Sequence, residues 1–263
     1  MLLDYHYDGH MHSWFSDGQA SIGAMAQAAI DRGLRRIVIT DHMPLPFATE
    51  FCVKREHLAD YRREVLRVKN LVRDRIDVML GMEMELPPSC RAWVEQIVRL
   101  GWDRLIGSVH FVERHGRPML VNGTWTDFES GLRQLFDGDV RALVTAYYRQ
   151  MQTMVRSGLF DVVGHLDVIK KHNPDRCLFD EREAWYRELV LETIDAIAAG
   201  NMMVEINLGG LRFDVAETIP NGWILDEIDR RGIPLVLGSD AHRPEQVGTG
   251  LAPDLEKRLR WCA

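Results

Sequence analysis

The chain has 263 residues, 46% of them hydrophobic and 27% charged, with a formal net charge of −7. That is the composition of an ordinary globular protein large enough to build one substantial core. It has no apolar run near the roughly 18 residues that span a bilayer and no basic excess of the kind a nucleic-acid surface carries, so neither membrane nor nucleic acid is expected as a partner. The start MLLDYHYDGH lacks the basic and apolar regions of a signal peptide, and Cys52, Cys90, Cys177 and Cys262 are scattered with no CxxC pair. We therefore expect a cytoplasmic protein with reduced, structural cysteines.

Along the chain, apolar β-branched runs alternate with amphipathic helical patterns. A first strand is expected near residues 5–12, followed by a helix over 21–33 with Ser21 as N-cap and Gly33 as its stop. The run RRIVIT (35–40) precedes a helix over 57–74, and IDVMLGM (76–82) and DRLIGSV (103–109) follow. After a helix over 141–158 come DVVG (161–164), a helix over 181–200, MVEIN (203–207), a helix over 222–232 and PLVLGS (234–239). No repeat or Pro/Gly-rich linker divides the chain, so a single domain over residues 1–263 is expected. Strands alternating with helices imply parallel βαβ units. Seven strands at this length favour an α/β fold closed as a (β/α) barrel over an open doubly wound sheet.

The residues able to hold a metal fall at the ends of these strands. His10 and His12 end the first, Asp41 and His42 the second, Glu83 the third and His110 the fourth. His165 follows DVVG, and Asp240 and His242 follow LVLGS. In a parallel barrel all C-terminal strand ends open on one face, so these side chains converge. Residues i and i+2 of a strand point the same way, which lets His10 and His12, or Asp240 and His242, serve one centre. One such histidine alone is more often a hydrogen-bonded interior residue, and HxH by itself is a weak signal. Strand-end placement throughout the chain is what a core explanation lacks. His6, His57 and His172 do not share it and are read as surface or core residues, with His115 left open in a loop. Imidazole and carboxylate donors without thiolates suit zinc, manganese or iron.

HMH (10–12), SDG (16–18), TDH (40–42), GMEME (81–85), GSVH (107–110), GHLD (164–167) and SDAH (239–242) resemble, in order, the motifs of the polymerase and histidinol phosphatase (PHP) superfamily. The resemblance implies a distorted seven-stranded barrel with three divalent metal ions. It assigns His10, His12, Glu83 and Asp240 to a first ion, bridges Glu83 to a second held with His110 and His165, and gives Asp17, His42 and His242 to a third. Asp41 and Glu85 are expected to orient ligands. Further stretches, GSVHFV (107–112), RSGLFDVVGHLDVIKKHNP (156–174), EINLGGLR (205–212) and RGIPLVLGSDAHRPEQVG (231–248), look like the stand-alone histidinol-phosphate phosphatases. So does an inserted loop at about 113–139 that lies over the site. The chain departs from that group at Leu208-Gly209, where Thr-Ser is common, and in the basic loop ERHGRP.

The implied activity is hydrolysis of a small phosphorylated substrate, L-histidinol phosphate, by a metal-bridging hydroxide. Asp240 and His242 are candidates to protonate the leaving group. Arg212, Arg243 and Lys170 are candidates for phosphate, Arg212 first because its guanidinium suits bidentate binding. Trp14, Phe15 and Phe111 flank ligands and can shape a pocket. Two other readings remain: a PHP phosphoesterase acting on nucleotides or short oligonucleotides, and an inactive metal-binding scaffold. With no extra apolar stripe on its helices, the chain is taken as a monomer.

Overall fold

The structure, a computed structural model, describes residues 3–47, 49–220, 222–252 and 255. The chain begins with β1 (Tyr7–Asp8), α1 (Ile22–Asp31), β2 (Arg36–Ile39), α2 (Leu58–Val72), β3 (Asp77–Glu85), α3 (Arg91–Val98) and β4 (Arg104–Ser108). A hairpin of β5 (Phe111–Arg114) and β6 (Arg117–Leu120), followed by α4 (Trp125–Phe136), precedes α5 (Val140–Arg156) and β7 (Val162–Val163). Then come α6 (Ala184–Gly200), β8 (Met203–Asn207), α7 (Gly222–Arg230) and β9 (Leu235–Gly238).

Seven strands form one parallel sheet in the order β1-β2-β3-β4-β7-β8-β9. Its outer strands meet: Gly9 N donates to Leu237 O at 2.8 Å, Asp240 N to His10 O at 2.9 Å and His12 N to Ala241 O at 2.8 Å. The sheet is thus a nearly closed seven-stranded (β/α) barrel, as the alternation of elements implies. The first strand is shorter than residues 5–12 suggest. Beyond Asp8 the chain bonds alternately to both neighbours, with Thr40 N donating to Met11 O at 2.9 Å, and so forms the seam instead of a continuous ladder.

The helices lie close to their expected places because one face of each is apolar. In α1, Ser21 accepts from Ala24 N, and Ile22, Met25, Ala26 and Ala29 are buried at i, i+3, i+4 and i+7. The segment at about 113–139 is not a loop. His115 and Gly116 both have positive φ, 53° and 71°, the requirement of a two-residue type I′ hairpin turn. Thr124 and Asp127 make a reciprocal capping box for α4, and Phe128, Leu132 and Phe136, each four residues apart, are buried. His115 is therefore a turn residue. Cys52, Cys90 and Cys177 are free thiols, and Cys262 lies outside the described residues. Among the described residues no helix is long and apolar enough to cross a membrane.

Tyr61 of α2 ties a helix to the floor beneath the strand ends. It is fully buried, and its hydroxyl lies 3.0 Å from Ile39 O and 2.8 Å from Gly81 O. Tyr61→Phe should therefore lower stability by about 1 kcal/mol, and Tyr61→Ala by about 3–5 kcal/mol through the cavity it leaves. Urea denaturation followed by circular dichroism measures both, and an unchanged midpoint for Tyr61→Phe would show that the hydroxyl contributes nothing.

Candidate metal centre

At the C-terminal mouth of the barrel the strand ends deliver one continuous cluster. Glu83, buried at the end region of β3, is its hub. Oε2 lies 3.0 Å from His42 Nδ1, 3.3 Å from His10 Nε2 and 3.6 Å from His12 Nε2. Oε1 lies 2.8 Å from His165 Nε2 and 3.4 Å from His110 Nε2, and accepts from Ser108 Oγ at 2.7 Å. Each oxygen thus faces a different set of imidazoles. Asp240 Oδ1 stands 3.3 Å from His12 Nε2, and Asp17 Oδ2 stands 3.2 Å from His242 Nε2 and 3.7 Å from His42 Nε2. All nine side chains that the sequence singles out meet here.

The donors fit divalent cations on their own chemistry. His10 Nε2 and His12 Nε2 face each other at 3.1 Å, as do His110 Nε2 and His165 Nε2; two ring nitrogens so close need a proton or a cation between them. Glu83 Oε2 and His12 Nδ1 are buried without hydrogen-bond partners. Three sets bring their ligand atoms within 4.8 Å of one another: His12, Asp17, His42 and His242; His10, His12 and Glu83; and His42, Glu83 and His110. His12 belongs to two sets, because its Nε2 faces Glu83 and Asp240 while its Nδ1 lies 3.7 Å from Asp17.

The electrostatics make the same demand. Burial opposes ionisation of Glu83, but His110, His10 and His42 outweigh it and hold the carboxyl well below its usual range. His12, buried and beside His242 and His42, is pushed down to about 3 and stays neutral. Burial also disfavours a charged His42, yet Glu83 and Asp17 raise it well above the usual imidazole value. The cluster draws positive charge to itself.

Supporting carboxylates fix the arrangement. Glu85 accepts from His110 N at 2.9 Å and closely contacts His110 Nδ1. Asp41 does not touch a histidine in this way. It accepts from Ser13 N at 2.9 Å, Ser13 Oγ at 2.8 Å and Ser16 N at 3.1 Å, and so shapes the turn that carries Asp17. Glu205, at 2.7 Å from His10 Nδ1, is a residue sequence reasoning missed. Within MVEIN it reads only as a polar residue in a buried strand.

The cations of the rim divide differently from expectation. Arg212 Nη2 donates to Ser239 O at 3.0 Å and Asp240 O at 2.7 Å, supporting a turn in which Asp240 has a left-handed φ of 52°. Arg243 is close enough to Arg212 for their like charges to interact, and Asp240 acts on Arg212 with the opposite sign. Lys170 is buried with its ammonium 3.0 Å from both Asp167 and Glu217, so its charge is already met by two carboxylates. Its neighbour Lys171 is only partly buried. Burial lowers its pKa, and Asp240 and Asp214 act against that. Lys171 also holds Asn122 O and, at 3.1 Å, Gly123 O. His172 Nε2 lies 3.1 Å from Gly123 O as well, so the inserted segment is docked beside the mouth. At Gly209 a Cβ would stand 2.7 Å from Asn207 Oδ1 and 2.9 Å from Asp240 Cβ, which leaves no room here for the side chain common at that position.

Phe51 stacks on Phe111 at 5.7 Å and 14° and meets His42 edge-on at 5.1 Å. Phe15 packs against Tyr61 instead, and Trp14 is 63% exposed.

A family model described as the PHP domain matches residues 8–208. A protein of Deinococcus radiodurans named "Probable histidinol-phosphatase" is 33% identical over 96% of this chain and 92% of its own length. The crystal structure of hisK from Listeria monocytogenes superposes with a TM-score of 0.84 at 20% identity, covering 93% of this chain and 98% of that one. That of histidinol phosphate phosphatase from Lactococcus lactis, complexed with zinc, L-histidinol and phosphate, gives 0.77 at 24% identity over 96% of this chain and 93% of that one. With the strand-end cluster in place and the match running through most of the barrel, the chain belongs to the PHP family, in its histidinol-phosphatase group.

Proposed function

We propose that this protein hydrolyses the phosphomonoester L-histidinol phosphate to L-histidinol and inorganic phosphate in histidine biosynthesis. The carrying observation is Glu83, a buried carboxylate whose two oxygens face two different histidine sets at the open mouth of the barrel. In that reading three divalent ions (zinc, manganese or iron), held by His10, His12, Glu83 and Asp240, by Glu83, His110 and His165, and by Asp17, His42 and His242, would lower the pKa of water and neutralise the phosphoryl oxygens. Water oxygen bonds to phosphorus, the bond from phosphorus to the histidinol oxygen breaks, and a proton goes to that oxygen. Asp240 and His242, 3.7 Å apart, stand where that proton can be handled.

Arg212, bonded to Asp240 O at 2.7 Å, with Arg243 three residues beyond Asp240, supplies positive charge that suits a phosphate at the mouth of a protein of net charge −7. The Phe51–Phe111 wall beside His42 suits a flat imidazole-bearing leaving group. The names of the relatives support the same substrate. Free Cys52, Cys90 and Cys177 fit a reducing compartment, and the cytoplasm is our reading of it. We take the chain to act as a monomer, without nucleic acid or membrane.

Phosphate release from L-histidinol phosphate by the zinc- or manganese-loaded chain should exceed that from AMP or a phosphodiester. His12→Ala should reduce it by more than the roughly 100-fold that loss of a supporting residue costs. Preference for AMP would move the assignment to nucleotides, and no turnover of any substrate would favour the scaffold reading. The adjacent lysines should separate in a second comparison. Lys171→Met is expected to lower kcat/KM about 10–100-fold and, by freeing Asn122 O and Gly123 O, to cost about 1–3 kcal/mol of stability. Lys170→Met leaves Asp167 buried without its partner and should destabilise the fold by about 3–5 kcal/mol. Steady-state kinetics beside urea melts checks both, and the reverse pattern would hand the substrate role to Lys170.

A further inference from the structure

Glu205 is buried on β8, which lies between β7 and β9. Oε1 lies 2.7 Å from His10 Nδ1. Oε2 accepts from the backbone N of His165 at 2.9 Å and from Asn207 Nδ2 at 3.2 Å. Asn207 has its amide fixed, since Oδ1 accepts from Gly209 N at 2.8 Å, and its Nδ2 also reaches Asp240 Oδ2 at 3.3 Å. Room for the carboxylate comes from Gly238: a Cβ there would collide with Glu205 Oε1 and stand 2.7 Å from His10 Cβ. One side chain therefore touches the segments bearing His10 and His165 and, through Asn207, Asp240.

A histidine that ligates a metal through one ring nitrogen donates the N–H of the other to its supporting acceptor, so the nitrogen of His10 that faces Oε1 is the one to carry the proton. That leaves Nε2, which points to His12 Nε2 at 3.1 Å and Glu83 Oε2 at 3.3 Å, with its lone pair toward the cluster. We infer that Glu205 is a positioning residue for the metal centre, holding His10 with its proton on Nδ1 so that Nε2 is the ligand atom, and setting the spacing of His10 against His165. This rests on the reading of His10 as a metal ligand and is independent of the substrate.

The geometry makes Glu205→Gln more than a loss of charge. The His165 backbone N–H and the Asn207 amide are fixed donors, so the single oxygen of glutamine must turn to them. Its NH₂ then faces His10 Nδ1, which has to become an acceptor and move its proton to Nε2, the atom facing the metal. Glu85→Gln provides the contrast. There Oε1 alone meets both His110 N and His110 Nδ1, so one amide oxygen can keep both contacts and the His110 tautomer.

The test uses the full chain loaded with zinc, as wild type, Glu205→Gln and Glu85→Gln, with zinc retention titrated against a chelating dye. Nitrogen-15 NMR of labelled histidines identifies His10 by its loss in His10→Gln. Wild type should show His10 protonated on Nδ1 and free of a proton on Nε2. Glu205→Gln should lose that signature and hold zinc at least about 10-fold more weakly, while Glu85→Gln keeps the His110 signature. Wild-type His10 with its proton on Nε2, or Glu205→Gln with unchanged zinc retention and an unchanged His10 signal, overturns the inference. Should Glu205→Gln fail to fold, the wild-type spectrum decides alone. Zinc and NMR results as expected in a chain that does not hydrolyse L-histidinol phosphate support the positioning role and remove only the substrate assignment.

Discussion

A buried carboxylate with nothing to oppose its charge is among the most unfavourable features a fold can carry. Glu83 is such a group, and the architecture around it is the means by which its charge is met. Imidazoles from the first, second, fourth and fifth strand ends of the barrel sheet approach it. They can do so only because the sheet curls until its outer strands touch through the bonds of Gly9, His12 and Asp240. Closure of the barrel and assembly of the cluster are therefore one event. The same low-dielectric setting that makes Glu83 hard to bury unpaired makes it a strong attractor for cations.

Around the histidines lies a second set of acids whose work is mechanical. Glu85 holds His110, Glu205 holds His10 and the His165 backbone, and Asp41 shapes the turn that brings Asp17 back. Asp8 performs a similar service at the seam, accepting from Ser239 N at 2.8 Å and Gly248 N at 2.9 Å. Each carboxylate binds donors from segments distant in sequence, so displacement of one strand disturbs ligands on another. Precise metal geometry depends on such supports as much as on the ligands.

Net charge says little about the mouth of this barrel. The chain is acidic overall, yet the exposed Arg212 bonds Asp240 O and the exposed Arg243 follows three residues later. Electrostatic attraction of a small anion depends on this local field. The link between the inserted hairpin and α4 holds Lys171, whose ammonium donates to Asn122 O and Gly123 O.

The linear sequence determined the alternation of strands and helices, the barrel class and the strand-end position of His10, His12, His42, Glu83, His110, His165, Asp240 and His242, because side-chain periodicity and β-branched runs are local properties. The segment at about 113–139 reads as a loop, and α4 within it, with Phe128, Leu132 and Phe136 buried, comes only from the structure. Which lysine of the pair Lys170-Lys171 is buried against carboxylates and which holds backbone carbonyls is not a local property: it depends on the turn of the short helical segment Val168–His172 and on what stands opposite each side chain. Glu205 likewise has no distinguishing neighbours in the chain. Its role exists only once β8 lies between the strand ends bearing His10 and His165, because a hydrogen bond needs its two partners within about 3 Å and only closure of the barrel brings residues so far apart in sequence to that distance.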